Sequence, residues 1–217
     1  MMIHAVFLTL AAIIALIPLR LAPGHGASFA PLWIAWIALW GGLALLTAFG
    51  VLSFSPPILR LAALFGGQVA VGVLVFATFP ALRRAIRSIP LIWLVRWQQA
   101  RVIGGFFLIG AVMGEVSMPF AAIAGLGDIA VGIAAALIAR RMTPANDTRL
   151  AARHMAMGLT DFTIAIITAI ITGANLGWPY VMIPLFLVPM AVLGHLAVLD
   201  RVWGAKEKAA PNAALSD

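Results

Sequence analysis

Long apolar stretches alternate with short polar segments along the whole chain. A helix needs about 20 apolar residues to cross the hydrocarbon core of a bilayer, and seven stretches have about that length. They are residues 2–21, 31–54, 57–80, 91–114, 119–139, 154–174 and 178–202. Lipid offers no hydrogen-bond partners to the backbone, and a barrel would show short strands of alternating polarity. The pattern therefore predicts an all-α, polytopic bundle of about seven transmembrane helices.

The short segments between the stretches predict the connections. Only the sequence SFSPP separates the second and third spans, which indicates an antiparallel hairpin. Residues 81–90 are basic and predict a short helix in the membrane interface. The loops leave no room for a soluble domain, so we expect one transmembrane domain at 1–204 and a disordered cytoplasmic tail at 205–217.

Basic residues predict the orientation. With seven spans, nearly all the basic residues in or beside the loops fall on one face of the membrane, and Arg60 is the exception. They are Arg20, Arg83, Arg84, Arg87, Arg140, Arg141, Arg149, Arg153, Arg201, Lys206 and Lys208. Because cytoplasmic loops are enriched in Lys and Arg, the pattern predicts an outside N-terminus and a cytoplasmic C-terminus. A six-span arrangement would put the C-terminal basic residues on the wrong side.

Composition agrees with this class of protein. The chain has 217 residues, of which 64% are hydrophobic and 10% are charged, whereas soluble domains are about half apolar and a quarter charged. The net charge of +7 resides in loops, where it meets anionic lipid rather than nucleic acid. The chain has no cysteine, which excludes disulfides, thiolate metal sites and cysteine nucleophiles.

A few polar residues lie within the apolar stretches, where ionisable groups are costly and face the bundle interior. At about 1.5 Å per helical residue, four of them, from four different spans, reach overlapping depths in the cytoplasmic half. These are Arg101, Asp128, Asp161 and His195. We expect one shared polar cluster in which Arg101 pairs with an Asp. Gln98 shares the face of Arg101, and Gln68 lies at a compatible depth.

The charges of this cluster suggest its chemistry. Arg101 can neutralise one carboxylate, so the second must be protonated, paired with His195 or matched by a cation. Structural interpretations stay open for each residue. Arg101 with one Asp can be a structural ion pair, Gln68 an interhelical hydrogen bonder, and His195 a core histidine.

Two further patterns concern the same residues. GLGDIAVGIAAALI (125–138) aligns with GLTDFTIAIITAII (158–171), as in the inverted repeats of transporters, although apolar segments also match by chance. Pro184 and Pro189 lie inside the seventh span and predict a kink that frees carbonyls just before His195. His154 lies near a span end, and its depth differs from that of His195 by roughly 10 Å, which argues against a bis-histidine haem.

The stretch GLGD (125–128) resembles the GxGD motif of intramembrane aspartyl proteases. That resemblance implies that Asp128 activates water together with a second Asp on the preceding helix. The second carboxylate does not match, because only Glu115 precedes Asp128 on that helix, and Asp161 lies on the following one. The Pro-Ala-Leu motif of those families is also absent from the sequence.

The chain is also similar to an uncharacterised bacterial family of small polytopic inner-membrane proteins. The stretches that carry this likeness are WQQARVIGGFFL (97–108), AGLGDIAVGIAA (124–135) and PLFLVPMAVLGHLAVL (184–199). The likeness implies the fold type and a bacterial inner (cytoplasmic) membrane as the location. It implies no activity.

We therefore expect a protein that binds or transports a small ligand, an ion or a proton through the polar cluster, rather than an enzyme. The candidate residues are Arg101, Asp128, Asp161, His195, Gln98 and Gln68. The alternatives are a membrane enzyme, either a GxGD-like hydrolase or a haem redox protein, and a structural membrane subunit. Lipids are the expected partners, no metal site is indicated, the cofactor is unknown, and the oligomeric state, a homo-oligomer included, stays open.

Overall fold

The computed structural model of the chain describes residues 2–21, 26–52, 61–174 and 176–213. Within these ranges the regular elements are helices, without any strand, which confirms the all-α class. The SFSPP connection lies outside the described residues, so the hairpin of spans two and three stays a prediction.

The helices follow one another with short connections. In chain order they are α1 (Met2–Leu21), α2 (Gly26–Ala48), α3 (π-helical at Leu61–Gly66 and α-helical at Gly67–Thr78), α4 (Pro80–Ser88), α5 (Leu91–Trp97, the 3-10 segment Gln98–Gly104 and Gly105–Val112), α6 (Met118–Arg141), α7 (Asp147–Ile171) and α8 (π-helical at Ile183–Leu187 and α-helical at Val188–Ala213). The backbone of α8 is thus helical as far as Ala213, and the disorder expected for residues 205–217 stays a prediction.

Several of these helices have the length and apolar surface that a membrane span requires. Among the described residues, four helices are long and apolar enough to cross a membrane, namely Ala30–Ala48, Met118–Arg141, Asp147–Ile171 and Ile183–Gly204. A fifth span results if Ala63–Thr78 and Pro80–Ser88 are joined across a bend of 98°. Large apolar side chains cover the outside, and Ile171 exposes 78% of its surface. An apolar exterior of this kind suits a lipid environment.

The interior contains two apolar clusters. The first includes Phe7 of α1, Phe107 of α5, Phe120 of α6 and Phe186 of α8. The second joins Ile89, Leu94, Ala135, Ala139, Ala151, Val198 and Val202, from the segments around α4 to α8. The polar residues that the sequence analysis expects to cluster lie on α5, α6, α7 and α8, between these two apolar clusters. The polar cluster is therefore enclosed by apolar packing on both sides.

Prolines in the helices leave carbonyls that side chains of other helices satisfy. Pro189 has no N–H for the carbonyl of Leu185, and the Gln68 amide nitrogen donates to that oxygen at 3.3 Å when its amide is oriented to satisfy both neighbours. Pro18 likewise cannot donate to the carbonyl of Ile14, which accepts a hydrogen bond from Trp97 Nε1 at 3.4 Å. The sequence predicts that Pro184 and Pro189 leave backbone carbonyls without an N–H partner. The carbonyl of Leu185 is one of these, and Gln68 supplies its hydrogen bond.

The basic segments meet at one end of the bundle. Arg83 Nη2 donates to Asp200 Oδ1 at 2.7 Å, and Arg87 binds both oxygens of the same carboxylate. The guanidinium of Arg201 donates to the carbonyl of Ile89. The basic residues expected at 81–90 thus lie on a helix, α4, which packs against the C-terminal half of α8. We call the region formed by α4 and the C-terminal half of α8 the basic end of the bundle.

We predict that Asp200→Asn loosens α4, because an amide cannot accept the paired hydrogen bonds of Arg87 with the strength of a carboxylate. The arginines are partly exposed, so the loss is about 1 kcal/mol, or roughly 2–4 °C in melting temperature. Thermal unfolding in mild detergent measures it. Arg84→Gln, on the exposed side of α4, is the control, and an equal loss in both variants would contradict the prediction.

Candidate functional site

Four helices bring the polar cluster together. The 3-10 segment of α5 carries Arg101, α6 carries Asp128, α7 carries Asp161, and α8 carries His195. Arg101 exposes 5% of its surface, Asp128 6% and His195 1%. The depth of each residue, estimated from its position along an apolar stretch, predicts this set. The structure places all four residues where α5, α6, α7 and α8 meet.

The guanidinium of Arg101 lies at the centre of the cluster. Its Nε donates to Asp128 Oδ1 at 2.8 Å, and its Nη2 contacts both Asp128 Oδ1 and Asp161 Oδ2. Its Nη1 donates to the carbonyl of Gly158 at 3.2 Å, and its Cζ lies 3.6 Å from the centre of the Phe162 ring. Contact with an aromatic face stabilises a desolvated cation. One guanidinium thus binds both carboxylates instead of a single Asp.

Three glycines create the space that the cluster occupies. A Cβ at Gly104 would collide with the carboxyl group of Asp128, and one at Gly127 would collide with Asp161. A Cβ at Gly158 would collide with His195 Nε2 and lie 3.0 Å from Arg101 Nη1. Any other residue at these positions would displace a charged or titratable side chain. Gly104 therefore makes room for the carboxyl group of Asp128 in addition to reducing the width of its own helix.

The two copies of the GLxD pattern meet at the same guanidinium. Asp128 ends the first copy and Asp161 ends the second, and Gly158 at the start of the second copy supplies the carbonyl. Gly127, within the first copy, borders Asp161 of the second. Whether the copies share an origin stays a prediction, but their acidic positions both bind Arg101.

His154 belongs to the site, and the sequence-based depth estimate for it was wrong. Its ring centre lies 5.7 Å from that of His195, although the sequence analysis separates the two in depth. The reason is that α7 begins at Asp147, about two turns earlier than the apolar stretch indicates, because Arg149 and Arg153 shorten that stretch. His154 is 1% exposed, and its Nε2 lies 3.3 Å from the carbonyl oxygen of Val131.

The two glutamines lie in different surroundings. Gln98 is next to the cluster, and its Nε2 donates to the carbonyl of Ala191 at 3.2 Å, while its Oε1 is buried without a hydrogen-bond partner. The amide oxygen of Gln68 accepts from Trp36 Nε1 at 3.1 Å, and its nitrogen binds Leu185. The structure thus brings Gln98 to the site and gives Gln68 the contacts of an interhelical hydrogen bonder.

A cavity of about 30 Å³ lies beside the cluster. Its polar walls are Gln98, Arg101 and Asp128, and its apolar walls include Ile14, Phe162, Ile183, Leu187 and Ala191. Because a water molecule needs roughly 10–15 Å³ of such volume, the cavity has room for about two waters or one small ion. The described residues include no group of three or more His, Asp or Glu that could hold a metal ion.

Sequence reasoning missed His154, Gly127, Gly158 and Phe162 as parts of the site. On α7 the buried positions Ala151, His154, Gly158 and Phe162 follow helical spacing. That stripe points at the cluster and was the available signal. No sequence signal tells which side chain each glycine makes room for, since this depends on the neighbouring helices.

Comparison with known proteins gives a family without an activity. A family model described as a domain of unknown function (DUF8737) matches residues 58–203. No curated protein and no solved structure matches the chain significantly. The matched range contains α5, α6, α7 and the part of α8 up to Trp203, and therefore every side chain of the polar cluster.

We predict that Gly104→Ala, Gly127→Ala and Gly158→Ala each destabilise the protein, because the added methyl group displaces Asp128, Asp161 or His195. Overpacking of this kind costs about 1–3 kcal/mol. Equilibrium unfolding in SDS, followed by circular dichroism, gives the free energies. Gly42→Ala is the control, since a Cβ there meets nothing within 4 Å, and it should be neutral or slightly stabilising. Equal behaviour of all four variants would contradict the prediction.

Proposed function

We propose that this chain, which belongs to the DUF8737 family, is a multispanning membrane protein that binds and transports a proton or a small cation. The single observation that carries the proposal is that one buried arginine, Arg101, binds two carboxylates inside an apolar bundle. The polar cluster defined by Arg101, Asp128, Asp161 and His195 is the proposed binding site.

Charge balance supports this function. With both carboxylates ionised, Asp128 and Asp161 carry two negative charges and Arg101 one positive charge, which leaves one negative charge unbalanced. Unbalanced charge within an apolar interior is costly. One proton, on a carboxyl group or on His195, restores neutrality. A monovalent cation in the adjacent cavity has the same effect.

The size of the cavity narrows the range of ligands. A volume of about 30 Å³ admits waters or one small ion and no drug-sized organic molecule, which needs about 300 Å³ or more. The unpartnered Oε1 of Gln98 can accept a hydrogen bond from a water or coordinate a cation there. The geometry thus favours an ion or a proton over a larger ligand.

Irregular helices support transport over static binding. Arg101 lies in a 3-10 segment in the middle of α5, and α8 has a π-helical turn at Ile183–Leu187 before His195. Such segments often mark hinges or functional sites within longer helices. They flank the cavity on two sides, so a small change in winding would alter access to it.

The proposed setting is seven spans in a bacterial inner membrane, with the N-terminus outside. The four long helices and the bent pair account for five spans. α1 and α5 supply the others, since α5 continues as helix from Leu91 to Val112. The basic end joins α4, the α6–α7 connection and the C-terminal half of α8 in one cluster, as cytoplasmic loops should be.

A hydrolase of the GxGD type receives less support from the geometry. An aspartyl dyad shares one proton between two carboxyl groups that face a water molecule. Here Arg101 Nη2 binds both Asp128 and Asp161. A structural subunit, in which the ion pairs only fix helix register, is the alternative that the first test below separates from transport.

We predict that Asp128→Asn and Asp161→Asn abolish ion movement, because neutralising either carboxylate removes the unbalanced charge that a proton or cation satisfies. The measurement is flux of H⁺, Na⁺ and K⁺ into vesicles that contain the purified protein and a pH- or ion-sensitive dye. Flux should fall to the leak of empty vesicles while circular dichroism stays unchanged. Asp200→Asn, at the basic end, is the matched control and should retain flux.

Two results would reject this function and favour the structural alternative. The first is the absence of H⁺, Na⁺ and K⁺ flux in the unsubstituted protein. The second is normal flux in both folded Asn variants. Unfolding of the Asn variants with loss of the helical bundle would point the same way, since a register-fixing pair is then essential.

Topology is tested separately, and the absence of cysteine from the chain makes single-cysteine labelling direct. We predict that Ser117→Cys, in the α5–α6 connection, reacts with a membrane-impermeant maleimide on the outer face. Thr143→Cys, in the α6–α7 connection, should react only after the membrane is inverted or opened. Both residues are exposed. The opposite labelling pattern would exclude an outside N-terminus with seven spans.

A further inference from the structure

We infer that the transported species is a proton and that His154 and His195 conduct it between the basic end and the polar cluster. This inference rests on the proposed function and goes further by naming the ion and its route. It starts from two buried histidines that are in contact with each other and that charge balance alone does not require.

The position of His154 is the first observation. On α7 it lies three residues after Ala151, which is fully buried in the apolar cluster at the basic end. It lies four residues before Gly158, whose carbonyl binds Arg101. His154 is therefore the first titratable side chain of the site that is reached along α7 from the basic end.

The position of His195 is the second observation. Its ring centre lies 5.7 Å from that of His154 and 5.9 Å from that of Phe162. Its Nε2 is buried without a hydrogen-bond partner. Because Gly158 has no side chain, this nitrogen and Arg101 Nη1 both approach the point where a Cβ would be. His195 thus connects His154 with the guanidinium that holds the carboxylates.

The chemistry of imidazole explains the arrangement. Neutral imidazole has one nitrogen that donates and one that accepts, so it can take a proton at one side and release one at the other. A buried nitrogen without a partner is costly if its role is only packing. A proton acceptor needs such a nitrogen free.

The proton and charge balance of the route is as follows. His154 Nε2 keeps its hydrogen on the carbonyl of Val131, which can only accept. A proton therefore binds at Nδ1, makes His154 an imidazolium, and leaves from Nδ1 to His195, which returns His154 to neutral. His195 then releases a proton to Asp128 or Asp161, which becomes a neutral carboxyl group, and both histidines end neutral. Among the described residues, the charged group that acts on both histidines is Arg101 of α5, which binds Asp128 of α6 and Asp161 of α7. The positive charge of Arg101 repels an imidazolium, whereas protonation of one carboxylate leaves the cluster neutral, so the proton ends on a carboxylate.

The ligand type distinguishes H⁺ from a metal cation here. A free imidazole nitrogen accepts a proton, whereas hard cations prefer oxygen ligands such as carboxylates, carbonyls and water. The histidine pair therefore favours H⁺ over Na⁺ and K⁺.

The test follows protonation of the aspartates after a rapid acid jump, by time-resolved infrared absorbance of the protonated carboxyl group in purified protein. Loss of the signal in Asp128→Asn or Asp161→Asn assigns it. We predict that His154→Gln slows its appearance by roughly a hundredfold, the usual scale for a positioned proton-transfer group, and leaves its amplitude unchanged. Gln can keep a hydrogen bond to the carbonyl of Val131. His4→Gln, the same substitution in α1, is the control and should not change the rate.

The outcomes separate the two proposals. If either His154→Gln or His195→Gln folds and gives the normal rate and amplitude, the route is wrong and the proton site stands. If the unsubstituted protein shows no carboxyl signal, both the route and the proton site are wrong. His195→Gln and His154→Asn provide independent folded variants if one substitution prevents folding, and a normal rate in any folded variant overturns the route.

Discussion

The Arg101 guanidinium is the interaction on which the interior of this protein depends. It binds Asp128 from α6 and Asp161 from α7, donates to the carbonyl of Gly158 as a third partner, and lies over the face of Phe162. A planar group with five donors can satisfy several acceptors at fixed angles. Lysine is not equivalent, because its ammonium group lacks the planar fork of donors that binds two carboxylates and a carbonyl at fixed angles. The register of α5, α6 and α7 is therefore fixed at one point.

The apolar packing is organised around that point. One apolar cluster includes Phe107 and Phe120, the other includes Ala135 and Ala151, and the polar side chains lie between them. Exclusion of water strengthens the ion pairs and raises the cost of any imbalance among them. Because the cluster is enclosed, the ion pairs are strong and one added or removed proton changes the free energy of the cluster by a large amount. The structural and the functional interpretation of these residues therefore rest on the same enclosure.

Sequence reasoning predicts the helical class and the membership of the cluster, because both depend on depth along apolar stretches. It puts Arg101, Asp128, Asp161 and His195 at one level, and their contacts agree. Sequence reasoning does not give the rotation of a helix about its axis. For this reason it includes Gln68, which lies at a compatible depth but binds Trp36 and Leu185 instead of the cluster. It also misplaces His154, since a polar first turn of α7 reads as loop in a hydropathy profile. Where a helix begins and which of its sides faces its neighbours depend on tertiary contacts. This explains the results for both Gln68 and His154.

The hydrogen bonds to proline-freed carbonyls have a consequence for assembly. The carbonyl of Ile14 has no amide partner at residue 18 and receives its hydrogen bond from Trp97 on α5. Segments emerge from the ribosome in order, so α1 is complete before Trp97 is synthesised. Until α5 arrives, that carbonyl needs water or the lipid headgroup region. The backbone hydrogen bonds of α1 are therefore complete only when α5 packs against it, so the two helices are coupled during assembly.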